Sequence, residues 1–167
     1  MRYLIITFIL FNFFLVIAVA APERDQILKL LEGRHWSLNS DVFQRLGDST
    51  DRILIEIAED DSLINYLRFR AIEALSLFPT ENTAVFLEKT TKKTNAPLSR
   101  RGFETFKKSF AESHPDRLKK LANDLLNHKN PQLRISGARV IRSMDAPRFK
   151  QFLESEKDMW VRRESQK

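Results

Sequence analysis

Three histidines, His35, His114 and His128, are the side chains of this protein best suited to proton transfer near neutral pH or to metal ligation, and they are scattered along the chain. His35 lies in the polar stretch GRHWSLNS, His114 in the helix-start signal SHPD, and His128 near a predicted helix C-terminus, where a cation is favourable. A structural or solvent-facing role is expected for each. The chain contains no HExxH, no glycine-rich phosphate loop and no Gly-x-Ser-x-Gly. The acidic run Glu59-Asp60-Asp61 has the charge for calcium but lacks the alternating oxygen ligands and glycine of a calcium loop. It is expected to end one helix and cap the next. The absence of cysteine excludes disulfides, thiol nucleophiles and thiolate metal sites. Of only four glycines, two fall at positions read below as helix crossings, which leaves few for tight catalytic turns. The expectation is a protein with no catalytic residue, cofactor, metal or small-molecule substrate.

Charge is the feature with functional content. Residues 21–88 carry 13 acidic and 7 basic side chains, whereas residues 89–167 carry 9 acidic and 20 basic, so the two halves differ in sign. A solvated basic surface keeps a protein soluble; a concentrated one also steers anionic partners. The candidate partner-binding residues are Arg101, Lys107, Lys108, Arg139 and Arg142, which the helical register leaves pointing away from the core.

The N-terminal stretch MRYLIITFILFNFFLVIAVAA has one basic residue, an apolar run and a small-x-small exit, Ala18-Val19-Ala20. It reads as an export signal over residues 1–20, cleaved before Ala21. The alternative is an uncleaved anchor, since Tyr3 to Ala21 is close to the length that spans a bilayer. Periplasmic or secreted localisation follows from the first reading, and an exported chain rarely meets nucleic acid, so no nucleic-acid partner is expected.

These residues must be positioned by helices, because no convincing period-2 run occurs and the chain is punctuated by helix-start signals. Ser49-Thr50-Asp51, Pro79-Thr80-Glu81 and Ser113-His114-Pro115-Asp116 each precede apolar residues at helical spacing. The most regular stripe is Leu118, Leu121, Ala122, Leu125 and Leu126. A second series of helices is expected over Leu63 to Phe78, Pro97 to Phe110 and Pro131 to Met144, with a truncated start at Asp158. The fold class is all-α.

The second series repeats one phrase: Leu67-Arg68-x-x-Ala71, Leu98-Ser99-x-x-Gly102, Leu133-Arg134-x-x-Gly137 and Val161-Arg162-x-x-Ser165. A small residue at the fourth place after the leading apolar one suits a close helix crossing, even though glycine inside a helix costs about 1 kcal/mol relative to alanine. The segments NPQLRISGARVIRSM, INYLRFRAIEALSLF and DMWVRRES resemble the second helices of HEAT repeats, including the short bacterial variety. The resemblance covers residues 49–167 and implies an α-solenoid of about four helix pairs, near 49–78, 79–110, 113–144 and 145–167, with residues 21–48 as an N-terminal helical cap. Ser99 stands where the other copies have Arg, so a ladder of arginine-to-acid contacts between neighbouring repeats is expected to break there.

The functional expectation is an exported, non-catalytic interaction scaffold whose basic inner face receives a protein partner with an acidic surface. The alternative is a peripheral envelope protein held to anionic lipid or lipopolysaccharide headgroups.

Overall fold

The computed structural model describes residues 23–167, and the export-signal reading of residues 1–20 lies outside them. Ten α-helices and one short 3-10 turn account for the regular structure of the described residues: α1 Arg24–Leu31, α2 Ser40–Gln44, α3 Thr50–Glu59, α4 Asn65–Ala74 with its 3-10 extension Leu75–Leu77, α5 Glu81–Thr91, α6 Ala96–Phe110, α7 Pro115–Leu125, α8 Pro131–Met144, α9 Ala146–Ser155 and α10 Met159–Ser165. They pack together, and no strand forms among them. No helix of the described residues is long and apolar enough to cross a membrane.

Local signals set most boundaries. Asn95, Asn130, Asp145 and Asp158 each cap the helix that follows with a side-chain oxygen bonded to a free backbone N–H, and Pro97, Pro131 and Pro147 follow at early helical positions where no N–H is required. Thr80 caps α5 by accepting from Thr83 N. Three expected caps take another form, and at the start of α7 it is His114, without a side-chain capping bond, that holds the cap position in place of Ser113. Ser49 adopts a left-handed φ of 76° and makes no capping bond, while Thr50 Oγ1 donates to Gly47 O at 2.8 Å and steadies the turn instead. Glu59-Asp60-Asp61 does end α3 but does not cap α4. Asp60 turns inward on Ser62, accepting from its N at 3.0 Å, and Ile64 occupies the cap position of α4. That turn delays α4 to Asn65, two residues beyond the expected start at Leu63.

Helices α3 and α4, α5 and α6, and α7 and α8 form three successive packed pairs. The second members also touch one another, α4 against α6, α6 against α8 and α8 against α10, while α3 touches α5. The stripe Leu98, Phe103, Phe106 and Phe110 is buried, as are Leu133, Ala138 and Ile141, with Met144 half-buried at the end of α8. A fully buried Leu, Ile or Phe contributes about 1.5–3 kcal/mol relative to exposure, so these stripes dominate the packing energy. Helix α1 lies against α3 and α4 and covers that end of the core with Ile27 and Leu31.

The small position marks the crossing within each pair. A Cβ on Gly137 would lie 2.6 Å from Ala122 O and 2.9 Å from Leu125 Cβ, both in α7. One on Gly102 would lie 3.0 Å from Leu87 O and from Thr91 N, both in α5. Bulk at Gly137 therefore drives α8 from its own partner α7.

The residue after the leading Leu has a common task as well. Arg68 Nε donates to Ala58 O at 3.1 Å, Ser99 Oγ donates to Thr91 O, and Arg134 Nη1 donates to His128 O at 3.0 Å. Arg68 and Ser99 thereby satisfy carbonyls in the last turn of α3 and α5, whereas Arg134 reaches a carbonyl in the turn that follows α7. Ser99 thus reaches a carbonyl of α5 with a hydroxyl, as Arg68 reaches one of α3 with its guanidinium.

Candidate partner-binding surface

On α4, α6, α8 and α10 a regular set of contacts runs sideways. The residue six places after the leading apolar position of one helix meets the residue three places after it in the next. Glu73 pairs with Arg101 at 3.6 Å, Glu104 Oε1 accepts from Ser136 Oγ at 3.1 Å, and Arg139 pairs with Glu164 at 3.8 Å. The sign inverts along the series: acid then base at the first rung, base then acid at the last. The rungs follow from registry, since equivalent helices laid side by side place equivalent residues opposite one another.

Two of the five candidate cations belong to these rungs. Arg101 also lies over the Phe69 ring, its guanidinium 5.3 Å from the centroid. Arg139 donates to Glu164 O from Nε at 3.1 Å and from Nη2 at 3.0 Å, and Arg142 Nη1 donates to Ser165 O at 3.4 Å. Both arginines therefore close the C-terminus of α10, where cations meet the negative end of the helix dipole. Lys107 pairs with Glu104 one turn back on its own helix. Lys108 is exposed, at the edge of a shallow hollow of about 220 Å³ that Glu73, Arg101 and Glu104 also line. The structure thus brings Arg101, Lys107 and Lys108 together on α6 and sets Arg139 and Arg142 apart, beside α10.

The outer helices have their own ties. Arg117 Nε donates to Glu88 at 2.7 Å and Nη1 donates to Glu81 at 2.9 Å, and these bonds hold its pKa above the ordinary arginine value. The Arg117 hydrogen bond in turn lowers the pKa of Glu81. Arg134 continues past its carbonyl contacts to Glu156 at 2.7 Å. Burial pushes the Glu156 carboxyl up, but the hydrogen bonds from Arg134 and from Asp158 N outweigh it and its pKa is lowered.

At the N-terminal end, Arg70 donates to Leu31 O at 2.6 Å and to Gly33 O at 3.0 Å. Its guanidinium lies 5.1 Å from the Trp36 ring and 4.7 Å from the Tyr66 ring, which joins the segment after α1 to α4. The acids of the Glu59-Asp60-Asp61 run are each matched by a cation: Lys89 at 3.0 Å, Arg24 at 2.5 Å and Arg68 at 2.6 Å. His128 Nδ1 accepts from Asn130 N at 2.9 Å, so this ring serves as a turn acceptor. His114 packs edge-on against Phe110. Among the described residues no three His, Asp or Glu side chains converge as a metal site would require.

One surface escaped the sequence reading. Met159, Trp160, Arg162, Arg163, Gln166 and Lys167 line a shallow, open concavity along one face of α10. The signal was present in DMWVRRES, where Met and Trp precede the leading Val161. Read as a repeat fragment, that segment drew attention to its buried positions and away from the exposed ones. Compared with protein-family models, curated proteins and solved structures, the chain matches none.

Proposed function

We propose that residues 49–167 form a short HEAT-like α-solenoid that acts, after export, as a non-catalytic scaffold for a protein with an acidic surface. The observation that carries this reading is the repeated lateral contact of α4, α6, α8 and α10. Equivalent helices aligned in this way present one continuous face, the feature by which helical repeats bind elongated partners. The charge excess of residues 89–167 gives the face its sign, and on α6 the exposed Lys108 stands beside Arg101 and Lys107 to meet carboxylates. Glu73 and Glu104 temper that charge and orient the cations, so the surface favours a partner that replaces those carboxylates with better-placed ones.

The test is recovery of partners from envelope extracts by the tagged chain, compared with Lys107→Glu/Lys108→Glu. The double reversal is expected to keep the helical circular dichroism signal and lose the acidic partners. Unchanged recovery at unchanged salt would remove the basic face from the reading. Transfer of the protein to anionic vesicles, with release as ionic strength rises, would replace the protein partner with a lipid surface.

A further inference from the structure

Helix α10 has two unlike sides. Val161 and Ser165 are buried toward α8, while Met159 is 73% exposed and Trp160 is 38% exposed on the other side. Elsewhere among the described residues the large exposed apolar side chains are Ile64, Tyr66 and Val85. At α10 alone do two such side chains sit in a concavity ringed by cations.

The charge around that concavity is unbalanced. Arg163 and Lys167 both turn to Glu164, at 3.4 Å and 2.6 Å, and Arg139 approaches the same carboxylate at 3.8 Å. One acid is shared by three bases. Arg162 rests its guanidinium on Met159 Sδ at 3.9 Å. Asp158 is engaged as the cap of α10, accepting from Trp160 N at 2.9 Å and Val161 N at 3.3 Å. An incoming carboxylate therefore meets arginines whose acidic neighbours are already shared or committed.

Trp, Met and Arg are the residues enriched where protein interfaces are buried, and a tryptophan in a pocket is a frequent anchor of binding energy. Met159 and Trp160 lie along one open face of α10 with Arg162, Arg163 and Lys167 beside them, so an apolar side chain and its acidic neighbours can be met at the same place. We infer that this side of α10 docks an acidic segment of a partner protein, with an apolar side chain entering between Met159 and Trp160 while adjacent carboxylates meet Arg162, Arg163 and Lys167. Arginine forks are suited to this because each can hold a carboxylate through two hydrogen bonds. The inference rests on the reading of the protein as an interaction scaffold and gives that scaffold a principal docking point at its C-terminal end.

The experiment uses the full chain and a fluorescently labelled peptide of glutamate and leucine, followed by anisotropy. The controls are the same peptide with serine for leucine, the same peptide with lysine for glutamate, and phosphatidylglycerol vesicles. The glutamate–leucine peptide should bind, and both altered peptides should bind far more weakly. Arg162→Glu/Arg163→Glu and Trp160→Ala should each weaken binding by at least about tenfold, as expected for a central anchor and its charged ring. The double arginine variant changes exposed positions only, so it keeps the test valid if Trp160→Ala loosens α10. Lys107→Glu/Lys108→Glu should retain most of the binding. Binding that ignores the α10 variants but vanishes with the α6 lysines overturns this site and leaves the scaffold reading standing. Absence of peptide binding, or binding untouched by either set, overturns both. Vesicle attachment that depends on Arg162 and Arg163 without peptide binding assigns the surface to lipid and overturns the inference.

Discussion

The α5–α6 and α7–α8 pairs are built to one plan and solve it differently. In both, a glycine of the second helix faces backbone of the first, and the residue after the leading Leu donates to a carbonyl ahead of its own helix, Thr91 O in α5 for Ser99 and His128 O in the turn after α7 for Arg134. In the α5–α6 pair a hydroxyl suffices, and its reach ends there. In the α7–α8 pair Arg134 goes on to Glu156, and so ties this pair to the turn between α9 and α10. What the two pairs share is a hydrogen bond back to a preceding carbonyl and a glycine that clears the crossing, with different residue types making the bond. The expected arginine ladder between neighbouring pairs does not form: Arg68 pairs with Asp61 of its own pair, Ser99 bonds within its own pair, only Arg134 reaches a later segment, and the link from α5 to α7 is made by Arg117 with Glu81 and Glu88.

The largest test of this comparison is Gly137→Leu, where even a Cβ would come within 2.6 Å of Ala122 O. Backbone cannot rotate aside as a side chain can, so the loss should be about 3 kcal/mol or more, at the upper end of overpacking effects. Urea midpoints measure it, and a variant that unfolds with the wild type would show the position to be open. Alanine sharpens the contrast. Its helix propensity returns about 1 kcal/mol in either pair, which should nearly offset the milder crowding at Gly102 and fall short at Gly137. Gly102→Ala should therefore melt close to the wild type, and Gly137→Ala clearly below it.

Next in size is Arg134→Ala, expected to cost about 3 kcal/mol because it strands Glu156, whose side chain is 8% exposed, without its partner. Ser99→Ala, by contrast, should cost about 1–2 kcal/mol for one lost hydrogen bond and an unsatisfied carbonyl. Equal losses at the two sites, read from denaturant curves, would contradict the difference in reach.

A smaller effect should appear on acidification. Glu156 has a folded pKa below its ordinary 4.5. A carboxylate with a depressed folded pKa supports the fold fully above its unfolded value, and that support fades as pH falls through the folded value. Stability should thus begin to decline below about pH 4.5 and continue downward, and Glu156→Gln should flatten part of the slope. Stability that rises on acidification through this range would invert the sign of the Arg134–Glu156 link.

The smallest expected change separates the two groups of candidate cations. Lys108→Glu should alter stability by no more than about 0.5 kcal/mol, as is usual for an exposed site. Arg139→Glu/Arg142→Glu removes bonds to the carbonyls of Glu164 and Ser165, so hydrogen exchange should show the C-terminal turn of α10 opening first while α6 and α8 stay protected. Uniform protection across the three helices would place Arg139 and Arg142 with Lys108 as side chains that carry no structural bond.

Much of the fold was legible because it rests on local chemistry. Asn130-Pro131 starts α8 where expected, Asp158 caps α10, and the 118–126 stripe is buried, since caps, proline and helical period act within a few residues of where they are written. The less regular helix α9 was legible only as part of the last segment, although Asp145 and Pro147 mark its start by the same rule. The candidate surface was less readable. Counting charges picked out Arg101, Lys107, Lys108, Arg139 and Arg142 alike, but which cations stay available depends on what the neighbouring helix sets opposite them.

The sequence by itself determined that the described residues fold as helices without strands, the ends of most helices, the glycines at the crossings and the uneven distribution of charge, because each follows from residue type and short spacing. Only the tertiary structure decided that Ser99 and Arg134 share a task, that Arg139 and Arg142 close α10, and that Met159 and Trp160 share a concavity with Arg162 and Arg163. The closure of α10 depends on lateral registry between α8 and α10, and the other two depend on how each helix packs against its neighbour. An arginine pointing away from its own helix becomes a structural cap or an exposed cation according to the residue that registry brings to face it.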